Sequence, residues 1–305
     1  MSAFDEAGNG ARRPVTVISL LPESALALLS SGAGVSIDGW LERVDAVVLA
    51  RPRPSEPSGA LRGADTTLLA AALIPRRPSV RWIVGADLAR EYPYNLARRV
   101  ASIAALSSVG VGVLLESTPS VIPGAEAATA AEVVADGVVV LQKLWQSWPT
   151  DSVIADKAAR RFVDSSQLRR IDHEGVFRVA GPLQLPVDPS RQPLVLQRDD
   201  LDDPAADASA EVLVTRLRPS SSPSSSSGDG RPRLFEVDAA ELTEVDGGLD
   251  VLLTGDPEDI VDVLRRRAER GQLPPAPRDL RRRLRARPPV ARLLSAAVAF
   301  PTEIW

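Results

Sequence analysis

Apolar positions fall into short β-branched runs separated by longer stretches of helical spacing. Runs at 15–21, 44–50, 80–86 and 109–115 each have the length and Val/Ile/Leu content of a buried strand. Between them the spacing changes to that of helices. Ser24 is placed to cap a short helix over Ala25 to Leu29, and Asp65 starts an alanine- and leucine-rich helix through Ile74. Pro93 opens a helix whose apolar face is Leu96, Val100, Ile103, Ala104 and Leu106. Residues 125–148 form a longer amphipathic pattern with Val133, Val134, Val138, Leu141, Leu144, Trp145 and Trp148 on one side. Strand and helix thus alternate, which predicts a parallel sheet covered by helices.

The pattern shifts after Asp151. A polar helix is expected around Lys157 to Phe162, followed by strand-like alternation in Ile171, His173, Val176, Phe177 and Val179, closed by Gly181-Pro182. A hairpin insertion over about 151–190 accounts for this. Four more apolar runs follow at 193–197, 211–217, 233–237 and 249–253, bringing the strand candidates to eight. Eight is the number a closed (β/α) barrel needs. The acidic stretch 199–209 and the serine-rich 219–231, which has the composition of a disordered linker, stand where covering helices belong, so helices in the second half are expected to be eroded. A helix from Asp256-Pro257 runs to Arg270 and stops at Gly271. The expected organisation is a polar arm over 1–13, a barrel over 14–272 and a C-terminal helical extension over 273–305.

At 305 residues the chain is near the ~250 of a single α/β barrel, so one domain is expected. A net charge of −4 gives no electrostatic reason to expect nucleic acid or an anionic membrane as partner. Cysteine is absent, which excludes disulfides, thiolate nucleophiles and thiolate metal sites. His173 is the sole histidine, so no multi-histidine metal site exists, and its expected place is in the hairpin. Asp199, Asp200, Asp202, Asp203 and Asp207 lack the spacing of a calcium loop, and Gly32-Ala33-Gly34 lacks the third glycine of a phosphate loop. No metal is therefore assigned. Arginines 265, 266, 267, 281, 282, 283, 285 and 287 are expected on solvated helix faces, since Leu264, Leu280 and Leu284 supply an apolar side and no aromatics interleave. Residues 1–13 carry Asp5 and Glu6 and no apolar core, and no run reaches the ~20 apolar residues of a membrane span, which reads as a cytoplasmic protein.

Four blocks, PYNLARRVASIAALS at 93–107, LWQSW at 144–148, DKAARRFVDSSQLRRIDHEGVFRVAGPL at 156–183 and QPLVLQ at 192–197, resemble in order the bacterial luciferase-like flavin monooxygenases. The branch they resemble is that of nitrilotriacetate monooxygenase component A and dibenzothiophene sulfone monooxygenase, and TGDPEDIVDVL at 254–264 is a weaker echo. The resemblance implies a TIM-type barrel, FMN reduced by a separate flavin reductase, O2 as co-substrate and a small organic substrate. It also implies a cofactor site at the C-terminal mouth, where Tyr92, Tyr94, Glu116, Ser117 and Thr118 stand as the candidate cofactor-binding residues; no catalytic residue is assigned. Several family positions are replaced. An arginine and a flavin-contacting asparagine become Gly110 and Leu114, the phosphate loop becomes Gln197-Arg198-Asp199-Asp200, and an Arg-Tyr pair becomes Ala130-Ala131. The alternative is therefore a degenerate, non-catalytic member that acts as a binding or partner subunit, as a homodimer or paired with a homologous chain.

Overall fold

The computed structural model describes residues 13–30, 36–51, 64–116, 126–199, 210–217, 230–242, 249–273, 279–293 and 296–299. Each of the eight apolar runs forms a strand of one closed parallel barrel. In chain order the barrel strands are β1 (Thr16–Leu20), β2 (Ala46–Leu49), β3 (Trp82–Asp87), β4 (Val111–Glu116), β9 (Leu194–Asp199), β10 (Val212–Arg216), β11 (Arg233–Asp238) and β12 (Val251–Thr254), and β1 closes on β12. The numbers skipped belong to two small antiparallel hairpins, β5 (Val153–Asp156) with β6 (Arg161–Val163) and β7 (His173–Glu174) with β8 (Arg178–Val179). The polar helix expected around Lys157 to Phe162 is thus the turn and return strand of the first hairpin. Its residues alternate no apolar face that a helix would bury, and Ile154 and Phe162 are both exposed.

Alternation along the barrel strands divides the core in two. Val17, Val48, Ile83, Leu114, Leu196, Val214, Leu234 and Leu252 point inward and fill the lumen. A methyl at Gly112 would lie 3.1 Å from Ile83 and 3.2 Å from Leu196, so glycine there leaves their side chains room to meet. The intervening residues face the helices.

Helices α1 (Pro22–Ala27), α2 (Thr66–Leu73), α3 (Pro93–Leu106), α4 (Ala130–Gln146) and α5 (Pro257–Glu269) cover the outside. Helix α1 starts earlier than Ser24 because Pro22 occupies its first turn with Leu21 as N-cap. Asp65 caps α2 through the Thr67 N–H at 2.8 Å. Thr129 and Glu132 close a capping box on α4, with Thr129 N–H bonded to Glu132 at 2.7 Å. Trp145 is 1% exposed and donates its indole N–H to the Ala97 carbonyl at 3.0 Å, which ties α4 to α3. Arg99 of α3 pairs with Glu91 and Asp65. Between β9 and β11 no helix falls among the described residues.

The second hairpin is clasped onto α4. His173 Nε2 meets Asp136 Oδ1 at 2.8 Å, its Nδ1 meets Lys143 Nζ at 3.0 Å, and Asp136 accepts the Phe177 N–H at 2.9 Å. With the lysine ammonium as donor, Nδ1 accepts and the ring proton on Nε2 goes to Asp136. The sole histidine is a structural clasp.

The C-terminal segment departs from the expected helical extension. After α5 the described residues contain one helical turn, α6 (Leu280–Arg283), and then a turn and chain without regular secondary structure through 293. The arginines are not all solvated either. Arg267 is fully buried, donating to Thr16 Oγ1 at 2.6 Å, and Leu280 of α6 and its C-cap Leu284 enter the bottom of the lumen.

Candidate functional site

In a parallel barrel the strands end at a common mouth, and chemistry gathers there because loops, not ladder bonds, line it. The inward positions two residues beyond the apolar lumen layer are Ser19, Ala50, Gly85, Glu116, Arg198, Arg216, Glu236 and Thr254. This layer has two unlike halves. Over β1, β2 and β3 it is floored by small residues, and a methyl at Gly85 would press to 3.1 Å from the Leu49 carbonyl oxygen. Over β4, β9 and β11 it is ionic.

Arg198 of β9 lies between two carboxylates. Its Nε donates to Glu116 of β4 at 2.9 Å, and another guanidinium nitrogen contacts Glu236 of β11. Glu236 is 4% exposed and Arg198 24%. Taking three ionised groups this far out of water is costly, and folding alone would be served by aliphatic residues of similar size. Asp87, the last residue of β3, is also buried, bonded to the Ala89 N–H at 3.0 Å and 3.5 Å from Arg90. Among the described residues no cluster of three or more histidine, aspartate or glutamate side chains is arranged to hold a metal.

Of the candidates named from sequence, Glu116 is in this ionic layer. Tyr92 and Tyr94 are at the start of α3, where their hydroxyls are engaged by the second hairpin. Tyr92 donates to the Arg178 carbonyl and stacks edge-on against Phe177 with ring centres 5.8 Å apart. Tyr94 accepts the Gln184 N–H at 3.2 Å and sits 3.5 Å from the Pro182 carbonyl. Both hydroxyls hold the insertion against the barrel. Ser117 and Thr118 lie outside the described residues, as do Asp200 and its acidic neighbours to residue 209, most of the serine-rich run, and Gly32-Ala33-Gly34. Sequence reasoning missed Arg198 and Glu236 as a pair. The available signal was register: each follows a lumen leucine, Leu196 or Leu234, by two residues.

Comparison with known proteins places this barrel. Dibenzothiophene-sulfone monooxygenase of Rhodococcus erythropolis is 43% identical over 58 residues, 19% of this chain and 13% of that protein. N-acetyl-S-(2-succino)cysteine monooxygenase of Bacillus subtilis is 31% identical over 134 residues, 40% of this chain and 30% of that one. The chain is a relative of the luciferase-like monooxygenases. The nitrilotriacetate and dibenzothiophene-sulfone branch fits these matches. EDTA monooxygenase from Chelativorans sp. BNC1 has the same luciferase-like barrel, with a TM-score of 0.64 at 20% identity over 92% of this chain and all of that one. No protein-family model matches. The matched stretches span well under two thirds of the curated relatives' own length.

A luciferase-like barrel implies a flavin, and the donor set bears on whether one fits. The small-residue half of the mouth suits a flat ring system. For a flavin phosphate, Arg216 at the end of β10 is the exposed guanidinium of the described layer; Arg198 is engaged by two carboxylates, the tyrosine hydroxyls by backbone, and Asp256, Glu258 and Asp259 make the first turn of α5 acidic. Within the described layer small side chains floor one half, and Arg216 is the cation open to a phosphate in the other.

Proposed function

We propose that this chain works in a flavin-dependent monooxygenation of a small organic substrate by O2, with its chemistry at the C-terminal mouth and reduced FMN supplied by a separate flavin reductase. The observation that carries the reading is the ionic layer of Glu116, Arg198 and Glu236, contributed by three strands to that mouth directly above an apolar lumen layer. Similarity to monooxygenases gives the reaction class. Reduced flavin would supply the electrons. The protein's part is positional. Glu116 and Glu236 hold the guanidinium in one orientation, Ala50 and Gly85 leave space beside it, and Tyr92 and Tyr94 fix the insertion that walls the mouth.

A second reading is favoured by the acidic character of the described mouth, with Arg198 held by two carboxylates and the first turn of α5 acidic: a family member without its own chemistry, acting as a binding or partner subunit in a homodimer or beside a homologous chain. Titration with oxidised and anaerobically reduced FMN, followed by oxygen uptake with a flavin reductase, separates the two. Saturable binding of reduced FMN that Arg198→Gln weakens, with reductase-dependent oxygen uptake, supports the enzyme. A folded protein that binds neither redox form supports the partner subunit.

A further inference from the structure

The opposite mouth of the barrel is built around three buried carboxylates that repeat one arrangement. Asp45, just before β2, accepts the Thr16 N–H of β1 at 2.6 Å through one oxygen and pairs with Arg283 through the other. Glu211, just before β10, accepts the Val195 N–H of β9 at 2.6 Å and pairs with Arg281 at 3.0 Å. Asp250, just before β12, accepts the Val15 N–H beside β1 at 2.7 Å and pairs with Arg285 at 3.0 Å. Each carboxylate therefore uses one oxygen to satisfy a backbone donor at a neighbouring strand's start. The other oxygen is left for a guanidinium.

The arginines come from one short segment. Between its pairs, Leu280 and Leu284, 1% and 2% exposed, close the lumen from below. Its backbone adds little to this attachment: Leu280 N–H to the Val109 carbonyl at 3.2 Å is the bond it makes to the strands' loops, and the rest are internal to the turn. A helix of four residues has no stability of its own, and Pro274, Pro275, Pro277, Pro288 and Pro289 in the sequence on either side prevent its extension. The strand-start bonds made by Asp45, Glu211 and Asp250 go to Thr16, Val195 and Val15 and not to this segment.

We propose that the N-terminal mouth is a preformed docking site for an arginine-rich segment and that residues 279–287 are a releasable plug seated in it. Release is local: the plug leaves while the barrel stays closed, exposing an apolar funnel rimmed by three carboxylates. The reading is independent of the chemistry at the other mouth.

The chain has no cysteine, so Ala286→Cys, at a residue packed against the lower lumen, gives a single thiol that reports plug position to dithiodipyridine in the full-length protein. Its reaction should be slower than that of an exposed Ser190→Cys control. It should also proceed through an opening that low urea barely accelerates, because little surface is exposed. Glu211→Gln keeps an oxygen for Val195 N–H and removes the charge facing Arg281; it should speed the reaction about tenfold. A labelled peptide of residues 279–290 should bind saturably to a full-length Leu284→Ser chain and not to wild type, and its arginine-to-glutamate version to neither. Thiol reaction that follows global unfolding in urea would overturn the proposal, as would a folded Leu284→Ser chain that refuses the peptide. Failure of Leu284→Ser to fold, together with unchanged thiol reactivity in Glu211→Gln, would make the segment an integral part of the barrel and overturn it equally.

Discussion

Lowering the pH from about 7.5 to about 5 should strengthen this fold, and Asp45 is the reason. Burial is the largest influence on its carboxyl and raises it from 3.8 to about 6, against the Thr16 N–H and the positive charges of Arg13 and Arg81, which pull it down. The folded state therefore binds this proton more tightly than the unfolded chain does. The associated stability is fully present below pH ~4 and is lost as pH rises through about 6. At roughly 1.36 kcal/mol for each pH unit between the two values, the whole effect has an upper size of about 3 kcal/mol, of which about 1.4 kcal/mol falls between pH ~7.5 and ~5. Glu211 is also raised, by burial first, and adds in the same direction. Asp65 and Asp136 are held low, hydrogen bonds from Thr67 and His173 outweighing burial, so their contributions are lost only in more acid solution. Urea unfolding at pH steps between about 5 and 7.5 measures the slope. Asp45→Asn, which keeps an acceptor for Thr16 N–H and cannot ionise, should remove most of it. A wild-type stability that is flat or falls toward pH 5 and matches Asp45→Asn throughout would refute the argument.

Further outcomes follow from other sites. Arg198→Leu removes the guanidinium that Glu116 and Glu236 share and should cost about 1–3 kcal/mol, read as a lowered urea midpoint; adding Glu116→Gln and Glu236→Gln should recover much of the loss. Gly175→Ala would put a methyl 2.2 Å from Asp136 Oδ1 and 2.8 Å from His173 Nε2, so amide exchange in 171–179 should accelerate while the barrel strands keep their protection. Gly137→Ala would press a methyl to 2.3 Å from Leu88 Cδ1 in the α4 interface and should lower stability by about 1–3 kcal/mol.

The eight strands, α3 and α5 were legible in the sequence because their signals are local. A β-branched run bounded by turns, a proline in a first turn and an aspartate before an apolar period act over a few residues, whatever surrounds them. The resemblance of the blocks at 93–107, 144–148, 156–183 and 192–197 to known monooxygenases was legible for the same reason. Lys157 to Phe162 misled because polar residues at the tip of an exposed hairpin carry no burial pattern to distinguish strand from helix.

Closure of the barrel decided what no local pattern held. Arg283 and Asp45 stand 238 positions apart in sequence, and Arg198 and Glu236 stand 38 apart. As sequence, the C-terminal arginines look like a solvated face and Arg198 like part of an acidic loop. Their roles follow from which mouth each strand end reaches, and that is set only when β1 pairs with β12. Charge and period along the chain determined the barrel. Its two mouths, one ionic and flanked by a clasped hairpin, the other plugged through three carboxylates, exist only in three dimensions, because a buried ion is tolerated solely where the fold brings its partner.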